Sequence, residues 1–262
     1  MTKPVALSIA GSDPSGGAGI QADLKTFHQF GVYGEAVIAL LTVQNTRTVS
    51  RVEILDPTFV EEQLRAVLED IPPHAVKTGA LGNAAVVRRI AGLAPLFRCP
   101  LVVDPVMISK HGAPLIAAEA RVALWDDLLP HATLITPNLH EAAALTGIDV
   151  NSLERMRAAA RQMRDHTGAA ILVKGGHLEG AAVDLLWDGT DFREFRAERI
   201  DTPHTHGTGC TYSAAITALL ARGVPLTEAV ERAKAFISEA IRTNPGLGSG
   251  CGPVNHHART LQ

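Results

Sequence analysis

The chain has 262 residues, 46% of them hydrophobic and 19% charged, with a formal net charge of −3. That length buries a core without metal or disulfide staples, and the charge gives no electrostatic case for nucleic acid or an anionic membrane surface. The three cysteines, Cys99, Cys210 and Cys251, read as reduced thiols of a cytoplasmic protein, with no signal segment and no apolar run of membrane-spanning length.

In chain order, short apolar runs alternate with segments of helical period. Val5–Ile9 reads as a strand, Ile20–Phe30 as a helix and Ala36–Val43 as a second buried strand. Pro57–Glu69 reads as a helix capped by Asp56. Ala75–Lys77 is short and apolar, Ala84–Leu93 helical, and Leu101–Val103 a strand that ends at Asp104. Ala117–Leu128 reads as a helix and Thr133–Ile135 as a strand running into Thr136-Pro137. Asn138–Leu145 and Ser152–Thr167 read as helices around the turn to strand Ala170–Val173. Val183–Asp188 and Asp191–Arg199 form a hairpin pattern about Asp188-Gly189. Two helices, Thr208–Ala221 and Leu226–Arg242, close the chain. The alternation predicts an α/β fold with a mostly parallel central sheet and helices on both faces. No composition break divides it, so residues 1–262 read as a single domain.

Such sheets bind ligands beyond the carboxyl ends of their strands, where the chemically suggestive residues cluster. Gly207-Thr208-Gly209-Cys210 leads into an Ala-rich helix. Glycines and a helix N-terminus suit a transferring phosphoryl group, although an ordinary loop and helix would read the same way. Cys210 falls in the first helical turn, where the dipole can lower a thiol pKa, so it is a candidate proton acceptor. It reads equally as a small buried hydrophobe, and a metal site with His204 and His206 is an incomplete third alternative.

The loop Gly11–Gly19 lacks both the G-x-G-x-x-G and the Gly-Lys-Ser/Thr patterns. Its glycines suggest close backbone approach to a small ligand or a tight turn. Asp23, one turn into the next helix, is placed for a substrate hydroxyl or for the helix dipole. Gln44 ends an apolar strand, and its carboxamide matches an aminopyrimidine edge as it matches adenine; it also suits a strand-end residue that satisfies loop backbone. Asp104 and Glu141 each follow a strand and could hold Mg²⁺ through waters, while Glu141 also suits a helix cap. Lys174, in Lys174-Gly175-Gly176-His177, could reach ATP phosphates.

Together and in this order, the motifs SIAGSDPSGGAGIQADLKTF (8–27), QNT (44–46), VDPVM (103–107), ITPNLHEA (135–142), VKGGH (173–177), THGTGC (205–210) and GPVNH (252–256) resemble the hydroxymethylpyrimidine/phosphomethylpyrimidine kinases of thiamin biosynthesis, within the ribokinase-like superfamily. The resemblance implies a three-layer sandwich without a separate lid domain, ATP with Mg²⁺ as phosphoryl donor, and phosphorylation first of the alcohol and then of its monophosphate. It implies that Gln44 reads the pyrimidine, with Gly11, Ala18, Asp23 and Ala80 around the substrate. It implies that Gly207, Thr208, Gly209 and Cys210 form the anion hole, Cys210 standing where most superfamily members place a catalytic Asp, that Lys174, Asn138 and Thr208 serve the phosphates, and that Asp104 and Glu141 serve Mg²⁺. The resemblance further implies that residues 109–114 form a flap and that the protein is a homodimer acting on small molecules. One departure is Ala80, where many members carry Met. The smaller side chain leaves pyridoxal-type alcohols as alternative substrates. A non-catalytic sensor and a nicotinamide-dependent enzyme are rival classes; the transfer apparatus argues against the first and the missing dinucleotide fingerprint against the second.

Overall fold

The computed structural model describes residues 3–107, 116, 118–176 and 182–260. The chain opens with β1 (Val5–Ser12), α1 (Gly19–Gln29) and β2 (Tyr33–Gln44). Then come β3 (Val49–Ile54), α2 (Pro57–Asp70), β4 (Ala75–Thr78), α3 (Ala84–Leu93) and β5 (Leu101–Val103). The middle holds α4 (Ala118–Ala123), β6 (Leu134–Ile135), α5 (Leu139–Thr146), α6 (Leu153–Thr167) and β7 (Ala170–Gly175). The last elements are β8 (Ala182–Trp187), β9 (Phe192–Ala197), α7 (Thr208–Ala221) and α8 (Leu226–Arg242).

All nine strands join one sheet in the order β3-β2-β1-β4-β5-β6-β7-β8-β9. From β2 to β7 every neighbour pair is parallel; β3 and β8 run antiparallel to that body at its two sides. Alternate strand residues feed opposite faces. Leu7 and Ile9 pack with Val60 and Leu64 of α2, the α3 residues Val86 and Ile90, and Met156 of α6. Ala6, Val102 and Leu172 pack with Phe27 of α1, Ile216 of α7 and Phe236 of α8. Three layers follow, and β1, β4, β5, β6 and β7 are buried on both faces, as their apolar runs require, whereas β2 is buried only along its middle.

Two sequence expectations differ from the fold. The helix expected over 117–128 is α4 only as far as Ala123; a wider π turn at Leu124–Leu128 and a 3₁₀ turn at Leu129–His131 follow. Pro130 has no N–H to continue the ladder. Strand β3 was not expected at all. It pairs on one side only and its residues are exposed or half-buried, so Val49, Val52 and Ile54 stand among Ser50, Arg51 and Glu53 instead of forming the unbroken apolar run of a buried strand.

Candidate active site

The carboxyl ends of β1, β2, β4, β5, β6 and β7 open onto one region, and α7 starts above it. Gly207 is the N-cap of α7, with φ +77°. A Cβ there would lie 1.8 Å from the Gly17 carbonyl oxygen, so only glycine lets the α7 loop close onto the β1 loop. The amides of Gly209 and Cys210 lie in the first turn, where the helix supplies no carbonyl partner. Thr208 donates its hydroxyl to Thr205 O at 2.8 Å, which leaves that oxygen free to accept. A Cβ on Gly209 would sit 3.3 Å from Lys174 Nζ and 3.7 Å from Asp104 Oδ2. The helix N-terminus therefore faces the ion pair directly.

That pair is short: Lys174 Nζ lies 2.8 Å from Asp104 Oδ1. Thr136 and Ser213 also donate to Asp104, at 3.1 and 3.3 Å. Burial would push the Asp104 carboxyl up, but Lys174 and Lys77 hold it below its usual range. Glu141 and Asn138 form a capping box at the start of α5: the Asn138 N–H donates to Glu141 Oε2 (2.8 Å) and the Glu141 N–H to Asn138 Oδ1 (2.9 Å). Burial raises the Glu141 carboxyl to about 7, with Lys174 pulling it down and Asp104 pushing it up. Pro137 O accepts the Lys174 N–H at 2.8 Å, tying the start of α5 to the end of β7.

Below this lies a second ion pair that spacing did not single out. Lys77 Nζ meets Asp23 Oδ1 at 2.7 Å, and Ser8 Oγ donates to Asp23 Oδ2 at 2.5 Å. Both side chains are 0% exposed. Asp23 thus commits its oxygens within the protein, one turn further into α1 than a dipole-complementing acid would stand. The available signal for Lys77 was its place in β4, a strand whose four residues are all buried; a buried lysine requires a partner. Burial alone would lower the Lys77 ammonium, yet Asp23, Cys210 and Asp104 together hold it above its ordinary value.

The expectation that the helix dipole lowers the Cys210 thiol is overturned. Burial pushes it up to about 11, Asp23 and Asp104 add to the rise, and Lys77 and a hydrogen bond from the Gly19 N–H only partly oppose it. Desolvation of the half-buried thiol, with two carboxylates acting on it, outweighs the dipole. Nor do His204, His206 and Cys210 converge. His204 Nδ1 accepts from the Gly252 N–H at 3.2 Å, and His206 Nε2 turns to Asp13 Oδ2 at 2.7 Å. Among the described residues no group of three or more His, Cys, Asp or Glu is placed to hold a metal ion. Two carboxylates beside a lysine fit a cation that keeps most of its water and leans on a phosphate, as Mg²⁺ does.

The remaining candidates surround the same opening. Gln44 ends β2, and Ala80 follows the close-packed Gly79 at the end of β4, half-buried. Gly11 lies near the end of β1; Ala18 caps α1 and donates its N–H to Asp13 at 2.9 Å. Residues 109–114, expected as a flap, and His177 lie outside the described residues.

Residues 13–255 match the sequence model of a family described as phosphomethylpyrimidine kinase. The chain is 47% identical, over 98% of each protein, to a hydroxymethylpyrimidine/phosphomethylpyrimidine kinase of Synechococcus elongatus. Among solved structures, a phosphomethylpyrimidine kinase from Clostridium difficile superposes with TM-score 0.81 at 44% identity, covering 91% of this chain and all of that one. A pyridoxal kinase from Staphylococcus aureus, in complex with AMP-PCP and pyridoxal, superposes with TM-score 0.89 at 37% identity, covering 98% and 95%.

Proposed function

The chain belongs to the phosphomethylpyrimidine kinase family, and we propose that it transfers the γ-phosphoryl group of ATP to 4-amino-5-hydroxymethyl-2-methylpyrimidine and then to the resulting monophosphate, for thiamin biosynthesis. The observation that carries this reading is the start of α7 facing Lys174 and Asp104, with Gly209 in contact range of both. That arrangement suits charge spread over a phosphoryl group in flight.

In this reading the substrate ring sits between Gln44 and Ala80, with the backbone of Gly11 and Ala18 as its floor. The hydroxymethyl oxygen attacks the γ-phosphorus as the bond to the ADP oxygen breaks. The amides of Gly209 and Cys210 hold the equatorial oxygens, and Lys174, with Asn138 and Thr208 beside it, holds the donor phosphates. Mg²⁺, when bound, would supply positive charge to offset that of the phosphates. Asp104 and Glu141 are the groups that would orient it through water. The hydroxyl proton passes to Cys210 as thiolate. Burial makes that form scarce, and Lys77 and Lys174 are the cations that favour it. Asp23 serves by fixing Lys77 beneath the sulfur rather than by touching substrate.

A second reading, a pyridoxal kinase on the same scaffold, is favoured by Ala80 and by the likeness to a kinase that binds pyridoxal. ADP release with the hydroxymethylpyrimidine, its monophosphate and pyridoxal separates the two. Turnover on the first pair, lost in Gln44→Ala, supports the thiamin reading; preference for pyridoxal moves the substrate.

We also propose a cytoplasmic homodimer. Leu41 and Val43, 43% and 57% exposed, stand two residues apart on one face of β2 beside the edge strand β3, an apolar surface suited to a second copy. No helix of the described residues is long and apolar enough to cross a membrane.

A further inference from the structure

His206 joins four segments. Its Nε2 lies 2.7 Å from Asp13 in the β1 loop and 3.3 Å from the Gln44 carboxamide at the end of β2. Its own N–H donates to Gly252 O at 3.0 Å, and its carbonyl accepts from the Val254 N–H at 3.3 Å. The ring is buried, and a Cβ on Gly17 would meet its Cδ2 at 2.5 Å. It directly precedes the glycine that caps α7.

The protons around Gln44 can be assigned from its neighbours. Asp13 accepts from the N–H and Oγ of Ser15 and from the amides of Gly17 and Ala18. Burial pushes its carboxyl up, but the bonds from His206 and Ser15 outweigh that and hold it at about 2. It is therefore a carboxylate that only accepts, and His206 Nε2 carries the proton it receives. At the other end of the carboxamide, Thr42 Oγ1 lies 3.0 Å from Ser12 O and 3.2 Å from Gln44. A carbonyl only accepts, so the single hydroxyl proton goes to Ser12 and Thr42 is left to accept from Gln44.

The Nε2–H is held mainly by Asp13 at 2.7 Å and has only a shared, longer arm to offer the carboxamide. A protonated ring nitrogen has no lone pair to accept an N–H, however, so His206 and Thr42 make the same demand: oxygen toward the ring and NH₂ toward the hydroxyl. With the amide nitrogen 3.3 Å from Nε2, two donors face each other. Exchanging the amide oxygen and nitrogen, which are alike in shape, satisfies both neighbours at once. We propose that His206, anchored by Asp13, is a positioning residue that turns the Gln44 carboxamide so that its oxygen faces the imidazole and its NH₂ faces Thr42. One N–H and one carbonyl lone pair then remain for the substrate, in a fixed order along the ring edge. The proposal rests on Gln44 meeting the pyrimidine, and it makes His206 a determinant of which rings are accepted.

The test combines kinetics with NMR. Steady-state kcat and KM for the hydroxymethylpyrimidine are measured for Gln44→Ala, His206→Leu, His206→Gln and Thr42→Val. His206→Gln keeps an N–H at the reach of Nε2. The expected result is a KM raised about tenfold in His206→Leu and Thr42→Val, with kcat within about threefold of the parent. In His206→Gln the KM recovers. In the unaltered protein the Gln44 NH₂ protons should give nuclear Overhauser contacts to the Thr42 methyl group. Contacts to the His206 ring protons instead, or a KM indifferent to His206→Leu and Thr42→Val while Gln44→Ala raises it, would overturn the proposal. If Gln44→Ala leaves KM unchanged, the ring reading falls and the specificity role falls with it. Should His206→Leu not fold, Thr42→Val and the NMR contact decide the matter.

Discussion

Lys77 and Asp23 meet at 2.7 Å with both side chains wholly out of solvent, and a third group, Ser8, donates to the same carboxylate. Removing one partner of such a pair leaves a buried charge without compensation. Lys77→Met should therefore cost about 3–5 kcal/mol, while the double variant Lys77→Met with Asp23→Leu should recover most of it. Urea denaturation of the single and double variants measures this. Equal losses in both would mean that the pair is not what holds this part of the sheet.

The thiol of Cys210, pushed up to about 11, is almost entirely protonated at neutral pH. If its thiolate takes the substrate proton, kcat of the parent should rise about tenfold per unit across pH 6–9, since the basic form gains by that factor below its pKa. Cys210→Ala should lose that slope and keep a residual rate from the α7 amides and Lys174. A parent profile that is flat over this range, or a Cys210→Ala variant with full turnover, would remove Cys210 from proton transfer.

Local signals were legible and non-local ones were not. Asp56 and Glu141 announced helix starts because a cap and its helix are adjacent in sequence, and the structure bears out both; Asn138 and Ser152, read as the first helical residues, stand one position before their helices as the N-caps. The residues beyond the strand ends were found for a similar reason: parallel sheets put their binding region there. Lys77 stayed unmarked because its partner lies 54 residues earlier. The thiol of Cys210 went the wrong way because burial is a property of the assembled layers, whereas a helix dipole can be read from the sequence. Asp13 and His206, 193 residues apart, share no sequence signal at all.

Glu35 offers a pH test remote from the site. It is 9% exposed in β2, one carboxylate oxygen has no hydrogen-bond partner, and burial followed by repulsion from Asp70 raises it to about 7. Its folded pKa lies above the unfolded value, so the folded state binds the extra proton. The Glu35 contribution to stability is therefore greatest in acid, falls as pH rises from about 4.5 to 7, and is flat above. Glu35→Gln should be more stable than the parent at pH 8, by about 2–3 kcal/mol. That gap should close toward pH 5. Urea midpoints of the two proteins at several pH values check the sign; a gap independent of pH would refute it.

The exposed apolar side chains at the β2–β3 edge predict that Val43→Glu, alone or with Leu41→Glu, yields a monomer. Light scattering should give half the parent mass at equal concentration. An unchanged mass would place any interface elsewhere.

Glu141 has two tasks that one residue pair can separate. Its side chain closes the capping box of α5, a role that glutamine also fills. Its charge is the part proposed to orient Mg²⁺ beside Asp104. Glu141→Gln should therefore keep thermal stability near that of the parent while the Mg²⁺ concentration for half-maximal turnover rises about tenfold or more. Glu141→Ala should show the same rise in Mg²⁺ requirement and lose about 1 kcal/mol as well, because the Asn138 N–H then has no cap acceptor. Melting curves and Mg²⁺ titrations of both variants make the comparison. If the two substitutions destabilise alike and leave the Mg²⁺ requirement alone, Glu141 is a helix cap and the cation leans on Asp104 without it.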